Sequence, residues 1–318
     1  MYLGIDLGGI NIAVGLVDDS YHIINKDSVP TGRTRSFEAI VKDMADLCRK
    51  IVEEAGYQIS DVKCIGIGAP GTPDIKNKCV LYANNLIAFQ NVNLETELQK
   101  YFPGMPVYLE NDANAAAYGE ILAGAAKDVD SAVIITLGTG VGGGIVIENK
   151  IQAGFRHTGA EIGHMVIEKD GAQCTCGRRG CFEAYSSATA LIRQTAEIIK
   201  EYPDSIIHEM IGNDPSKISG KTAFLAAKQG DEAGQKIVDQ YVAYLGEGVT
   251  NIVNILWPEA IVIGGGISKE GENLLAPLRE YVHAHQYGRG SECSKIVAAE
   301  LGNDAGIIGA AMLFKQAQ

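Results

Sequence analysis

Apolar and polar positions alternate through YLGIDL (2–7), break at Gly8-Gly9, and resume through INIAVGLVD (10–18). Asp18, Asp19 and Ser20 then turn the chain into a third alternating run, YHIINKDSV (21–29). Period-two alternation bounded by glycine or Asp/Ser clusters predicts three strands joined by tight turns. The same grammar returns further on: SAVIITL (131–137), the glycine-rich GTGVGGG (138–144), IVIE (145–148), an Asn149-Lys150 turn and IQAG (151–154).

The segments after the two triplets are also alike. Apolar residues spaced by three and four over 37–56 predict a helix, which leads into a buried strand and glycine turn, VKCIGIGAPG (62–71). In the second half a helical pattern over 233–256 leads into EAIVIGGGIS (259–268). The halves share pattern rather than identity, which reads as an internal duplication. Two α/β lobes with glycine turns at strand ends predict a cleft between them, where backbone amides face one ligand. The expected division is an N-terminal lobe over 1–118 and a C-terminal lobe over 119–303. It falls in the helix starting at Ala113, and a terminal helix over 304–318 packs back on the first lobe.

Composition narrows the class. With 46% hydrophobic and 21% charged residues, the chain of 318 residues reads as a globular protein able to bury a large core. No run is apolar enough to span a bilayer, and MYLGIDLGG reads as a strand rather than an export signal. The seven cysteines are an odd number and four of them are scattered, which suits a reducing, cytoplasmic setting better than a disulfide framework. A net charge of −12 without a basic tract speaks against nucleic-acid binding. An anionic ligand would be held by backbone amides, helix N-termini or Mg²⁺.

Cys174, Cys176 and Cys181 lie in CTCGRRGC, with His164 ten residues upstream of the first. Gly177 and Gly180 supply turns that let the thiolates converge, and three thiolates with one imidazole form the tetrahedral set of a closed structural zinc site. Four protein ligands leave no open position for activating water. Three unconnected thiols in a loop is the plain alternative. Glu161 and Glu183 bracket the set, so the staple also reads as scaffolding for a binding site.

Gly8-Gly9 and Gly138-Thr139-Gly140 are candidate phosphate cradles, since glycine lets several N–H groups converge where a strand reverses. Neither is a Walker loop or a dinucleotide fingerprint. Gly265-Gly266, at the end of a parallel strand, suits contact with a nucleoside. Asp6 reads equally as a holder of Mg²⁺ through water or as a cap for turn amides. In LENDANAAAYGEILAG (109–124), Asn111 or Asp112 caps a helix, and Asp112 also reads as a general base; the two roles coexist.

These motifs together resemble the ROK family of sugar kinases and sugar-responsive repressors. The resemblance runs through DLGG (6–9), GAPG (68–71), ENDANAA (110–116), GTGVGGG (138–144), EIGH (161–164), CTCGRRGCFEAYSSATAL (174–191) and GGGIS (264–268). It implies an α/β, two-lobed, actin-like (ribonuclease-H-like) ATPase fold with an interdomain cleft and a structural zinc loop. It implies Asp112 as the catalytic base on a sugar 6-hydroxyl, with Asn85, Asn111, Glu161, His164 and Glu183 binding hydroxyls and Gly71 shaping the pocket. Asp6, Gly8, Gly9, Asn11, Gly138, Thr139 and Gly140 would face the phosphates and Mg²⁺. Gly265 and Gly266 would face the nucleoside, and His164, Cys174, Cys176 and Cys181 would hold zinc. Two positions depart from the family pattern. Ile10 stands where threonine usually follows the paired glycines, and Phe89 stands where many members carry tryptophan.

The expected activity is ATP-dependent phosphorylation of an aldohexose, glucose first, by a homodimer or tetramer. N-acetylmannosamine, N-acetylglucosamine, fructose, allose and β-glucosides are the alternative acceptors. A sugar-responsive regulator is the alternative of another class. Regulators of the family carry a winged helix-turn-helix ahead of the kinase-like region, and a strand starting at residue 2 leaves it no place.

Overall fold

The computed structural model describes residues 1–83, 86–288 and 292–317. Its first sheet is built from β1 (Tyr2–Leu7), β2 (Asn11–Val17) and β3 (Ile23–Pro30), followed by α1 (Phe37–Glu54) and β4 (Ile65–Ala69). Then come β5 (Thr72–Asp74), β6 (Cys79–Tyr82), β7 (Gln90–Asn93), α2 (Leu94–Leu98), β8 (Val107–Asn111) and α3 (Asp112–Ala123). The second half supplies β9 (Ala132–Leu137), β10 (Val141–Ile147), β11 (Lys150–Ile151), α4 (Glu183–Ser186), α5 (Ala188–Ile198), α6 (Ile207–Met210) and α7 (Thr222–Ala227). It continues with α8 (Glu232–Leu256), β12 (Ala260–Gly265), α9 (Glu272–His285), β13 (Lys295–Ala298) and α10 (Asp304–Ala311).

The two five-stranded sheets share one plan: β3-β2-β1-β4-β8 and β11-β10-β9-β12-β13. In each, consecutive hairpin strands occupy one side and later strands are added on the other. β1, β4 and β8 run parallel to one another, as do β12 and β13. Parallel strands covered on both faces lose polar alternation. Accordingly β4 is buried throughout and β1 everywhere but Asp6. The β3 edge keeps a strict half-buried, exposed alternation.

Contacts gather the chain into two units. One holds Met1–Val133, Gly144–Ala160 and the chain from Glu300 onward; the other holds Ile134–Gly143 and Glu161–Ala299. The boundary expected at 118/119 lies inside α3, all of which belongs to the first unit.

In the first unit, α10 rests on β1, β4 and α3. Its backbone comes so near that a Cβ on Gly66 would stand 1.7 Å from the Ala310 carbonyl oxygen, and one on Gly309 would stand 1.7 Å from that of Ala115. The helix thus meets the sheet at Gly66 and α3 at Gly309 backbone to backbone, which only glycine permits.

Some elements depart from the sequence pattern. The strand expected at IQAG contracts to Lys150–Ile151, since Gly154 enters the positive-φ region at 69°. The third strand starts late because Tyr21 takes φ 67° in the turn. The small antiparallel sheet β5-β6-β7 between β4 and β8 was not foreseen: its strands have three or four residues, too few to show a period, and those of β5 and β7 are mostly polar.

Candidate active site

In the first unit, the parallel order β1-β4-β8 brings the carboxyl ends of three strands to one edge, where ligands of open α/β sheets bind. Asp6 stands near the end of β1, Gly71 just past β4, and Asn111 and Asp112 at the step from β8 into α3. Asn111 is the N-cap: its Oδ1 accepts from the N–H groups of Ala113 (2.9 Å) and Asn114 (3.3 Å). Its Nδ2 donates to the Gly71 carbonyl at 3.2 Å, which ties the helix start to the glycine turn after β4. Gly71 has φ 86°, and a Cβ there would stand 2.0 Å from the Tyr82 carbonyl oxygen. Asp112 opens the helix, and its Oδ1 accepts from the Ala113 N–H at 2.9 Å.

Burial pushes the Asp6 carboxyl up to about 6, and the negative charge of Asp112 adds to the effect. Two neighbouring acids, one of them held off water, suit a cation, so Asp6 with Asp112 beside it fits a divalent metal.

The hairpin after β1 closes through Gly8 N–H to the Asn11 carbonyl at 2.9 Å. Thr31, fully buried, braces it twice: its hydroxyl donates to the Gly8 carbonyl at 2.7 Å and its N–H to the Ile10 carbonyl at 2.7 Å. Nothing in the sequence marks Thr31 beyond a lone threonine after Pro30. Ile10 projects into solvent with 82% exposure, and the adjacent Asn11 is exposed. Phe89 is fully buried in the core, edge-on to Phe37. Asn85 lies outside the described residues.

The second unit repeats the device. Gly138 N–H donates to the Gly140 carbonyl at 3.0 Å, closing the loop between β9 and β10. The N–H groups of Gly8 and Gly138 are thus engaged within their own turns, and a phosphate would be met by other amides of each loop. Ala188 N–H bonds the Gly138 carbonyl and the Thr189 hydroxyl bonds the Thr139 carbonyl, each at 2.8 Å, so the start of α5 fixes the loop. β12 lies beside β9, and a Cβ on Gly265 (φ 87°) would stand 2.4 Å from the Leu137 carbonyl oxygen. The Gly138–Gly140 and Gly265-Gly266 turns therefore share one edge, and Gly266 faces open space.

Glu183 links this loop to the cysteine turn. Its Oε2 accepts from the Val141 N–H at 3.0 Å and its Oε1 from the Thr175 hydroxyl at 3.1 Å. Each carboxylate oxygen keeps capacity for another donor. Glu161 is exposed at the head of the Ile162–His164 turn, and its carbonyl accepts from the His164 N–H at 3.0 Å.

His164, Cys174, Cys176 and Cys181 place their ligand atoms within 4.8 Å of one another. Cys176 and Cys181 sulfurs are 3.7 Å apart, and the Cys174 sulfur is 3.7 Å from His164 Nδ1. A tetrahedral zinc with Zn–S of about 2.3 Å sets neighbouring sulfurs about 3.8 Å apart, so the donor set fits that ion. Gly177 (φ 92°) and Gly180 (φ 80°) make the turns. Use of Nδ1 leaves Nε2 on the far side of the ring.

Residues 2–317 match the ROK family profile. The chain is 40% identical over 316 residues to a glucokinase of Thermotoga maritima, covering 99% of this chain and 97% of that one. It is 31% identical over 307 residues to a xylose repressor of Caldicellulosiruptor bescii, covering 96% of this chain and 76% of the repressor. The crystal structure of a ROK family glucokinase from Streptomyces griseus, in complex with glucose and AMPPNP, superposes with a TM-score of 0.77 at 36% identity, covering 98% of each chain. Duplicated sheets, paired glycine turns and the His-Cys cluster agree with these matches over the whole length: the chain belongs to the ROK family, with its actin-like sugar-kinase fold.

Proposed function

We propose that this chain is an ATP-dependent hexose kinase that transfers the γ-phosphoryl group to the 6-hydroxyl of an aldohexose, with glucose as the preferred acceptor. The observation that carries the reading is Asp112 at the head of α3, its helix capped by Asn111 and its charge felt by Asp6. The glucokinase of Thermotoga maritima and the glucose complex of the Streptomyces griseus relative support the acceptor.

Asp112 accepts the proton of the attacking hydroxyl. An ordinary carboxylate suffices, because a loose phosphoryl-transfer transition state asks mainly for orientation and late proton acceptance. Asn111, Glu161, His164, Glu183 and Asn85 address the sugar hydroxyls, and Gly71 helps to shape the sugar pocket. Carboxylates suit a polyol because each accepts two hydroxyl hydrogen bonds and so discriminates stereochemistry. Gly8, Gly9, Asn11, Gly138, Thr139 and Gly140 serve the phosphates, and Gly265 and Gly266 the nucleoside. Asp6 is the residue that would hold Mg²⁺, which when bound offsets negative charge on the phosphates.

His164, Cys174, Cys176 and Cys181 hold structural zinc in this reading. The seven cysteines form no disulfide, which supports a cytoplasmic setting. We also infer a homodimer. No helix of the described residues is long and apolar enough to cross a membrane.

Replacing Asp112 by Ala lowers kcat by about 10³-fold, in the range a positioned base contributes, and leaves sugar binding intact. Steady-state kinetics with calorimetry checks both; near wild-type kcat would remove Asp112 from the role of base.

A further inference from the structure

Glu110 immediately precedes Asn111 and Asp112, yet it is only 4% exposed and points away from solvent at the end of β8. Its Oε1 accepts from the Asn111 N–H at 2.9 Å and from Asn114 Nδ2 at 3.0 Å. One carboxylate thus grips both sides of the α3 start, the residue before Asp112 and the residue two after it. Its other oxygen, Oε2, lies 3.6 Å from Nδ1 of His157, which is half-exposed. Burial pushes the Glu110 carboxyl up, and the Asn114, Asn111 and His157 contacts oppose that shift.

His157 sits in a segment that the chain would not hold unaided. Arg156 and His157 both take φ 57° and Ala160 takes φ 66°, left-handed backbone that residues with a Cβ disfavour. Within the segment, Gly159 N–H bonds the Ala153 carbonyl at 2.7 Å and His157 N–H bonds the Gly154 carbonyl at 3.2 Å. The segment also packs against β5, just past Gly71. It is the last stretch of the first unit before Glu161, the first residue of the chain's return to the second.

We propose that His157 and Glu110 form a positioning pair for the sugar kinase reaction, one that fixes the head of α3 and ties the 154–160 segment to it through the Glu110–His157 contact. The inference rests on the proposed kinase function. Neither residue touches the reacting atoms. Glu110 acts through the Asn111 amide and the Asn114 side chain, and His157 acts through Glu110. Removing the His157 ring leaves Glu110 Oε2 without its neighbour and frees the carboxylate to turn away from the Asn111 amide and the Asn114 side chain, so the effect of removing His157 must travel through Glu110.

The test is a double-mutant cycle read in kinetics and amide exchange. His157→Ala raises the glucose KM about tenfold while the ATP KM stays within about twofold; His157→Gln, which keeps a donor toward Glu110, restores most of the loss. Glu110→Gln lowers kcat as well, and the double variant is no worse than Glu110→Gln alone. A glucose KM for His157→Ala equal to wild type, or losses that add, overturns the pair. A merely structural role would lower both substrates' affinities together and would not be rescued by glutamine. If wild-type protein phosphorylates no hexose, the kinase proposal fails separately, and exchange at Asn111–Asn114 still decides the pair. Faster exchange in His157→Ala, returned to the wild-type rate by His157→Gln, upholds it, and unchanged exchange overturns it.

Discussion

Asp6 shows most directly how the setting of one residue bears on the stability of this protein. Its folded acidity lies near 6, against an ordinary 3.8, because burial and the neighbouring Asp112 both disfavour its charge. Below about 3.8 the group is protonated folded and unfolded alike, and its contribution is fully favourable. As pH rises through 6 the folded protein must hold an unwelcome charge and that contribution is lost, a cost of about 2–3 kcal/mol by linkage. Asp6→Asn should therefore raise the melting temperature at pH 7.5 and leave it nearly unchanged at pH 4. With Asp6 in the proposed role of holding Mg²⁺, added Mg²⁺ should stabilise the wild-type protein and not the variant. Melts at the two pH values with and without Mg²⁺ check this, and equal melting temperatures of both proteins at pH 7.5 would contradict it. Asp6 was legible in the sequence as a strand-end acid beside a glycine turn. Thr31 was not, since a buried threonine bracing a hairpin from 23 residues away leaves no local signal. The Glu110–His157 contact was hidden for the same reason.

Among the elements, the cysteine turn was the most legible, because three of its four candidate metal ligands and both turn glycines lie in one short run. Only His164 comes from outside that run, and it enters on the Ile162–His164 turn, which also begins with Glu161. Folding adds what spacing alone could not give: Glu183 joins the turn, through Thr175, to the loop after β9, through the Val141 N–H. Chelation, or Cys176→Ala, should therefore weaken sugar affinity and local order more than nucleotide affinity. Calorimetric titration of metal-stripped protein with glucose and with a nucleotide separates the two. Equal loss of both would mean that the proposed zinc holds the whole unit and not the residues proposed to face the sugar. The β5-β6-β7 sheet escaped the sequence reading because strands of three or four residues such as QNVN carry no usable alternation. The extra strand length expected at 152–154 failed because a positive-φ glycine ends the ladder there.

At the scale of the molecule, two sheets with one strand plan account for paired glycine turns 130 residues apart, each closed by its first N–H. The duplication inferred from pattern alone is visible in that common order. The domain boundary was harder to read, since the chain leaves and re-enters the first unit at 134–143 and 161–299. A crossing of that kind sets no compositional mark. With a net charge of −12, the molecule must bind a nucleotide through local devices rather than a positive surface, and this is the role assigned to amides, helix starts and a divalent cation. The central claim is the reaction itself. The most direct measurement follows ADP release with ATP and Mg²⁺ across a panel of glucose, mannose, fructose, allose, N-acetylglucosamine and N-acetylmannosamine, with phosphorus NMR of the product. The account predicts turnover that is greatest on glucose, giving the 6-phosphate. Turnover confined to N-acetylated sugars, or phosphate at another hydroxyl, would contradict it.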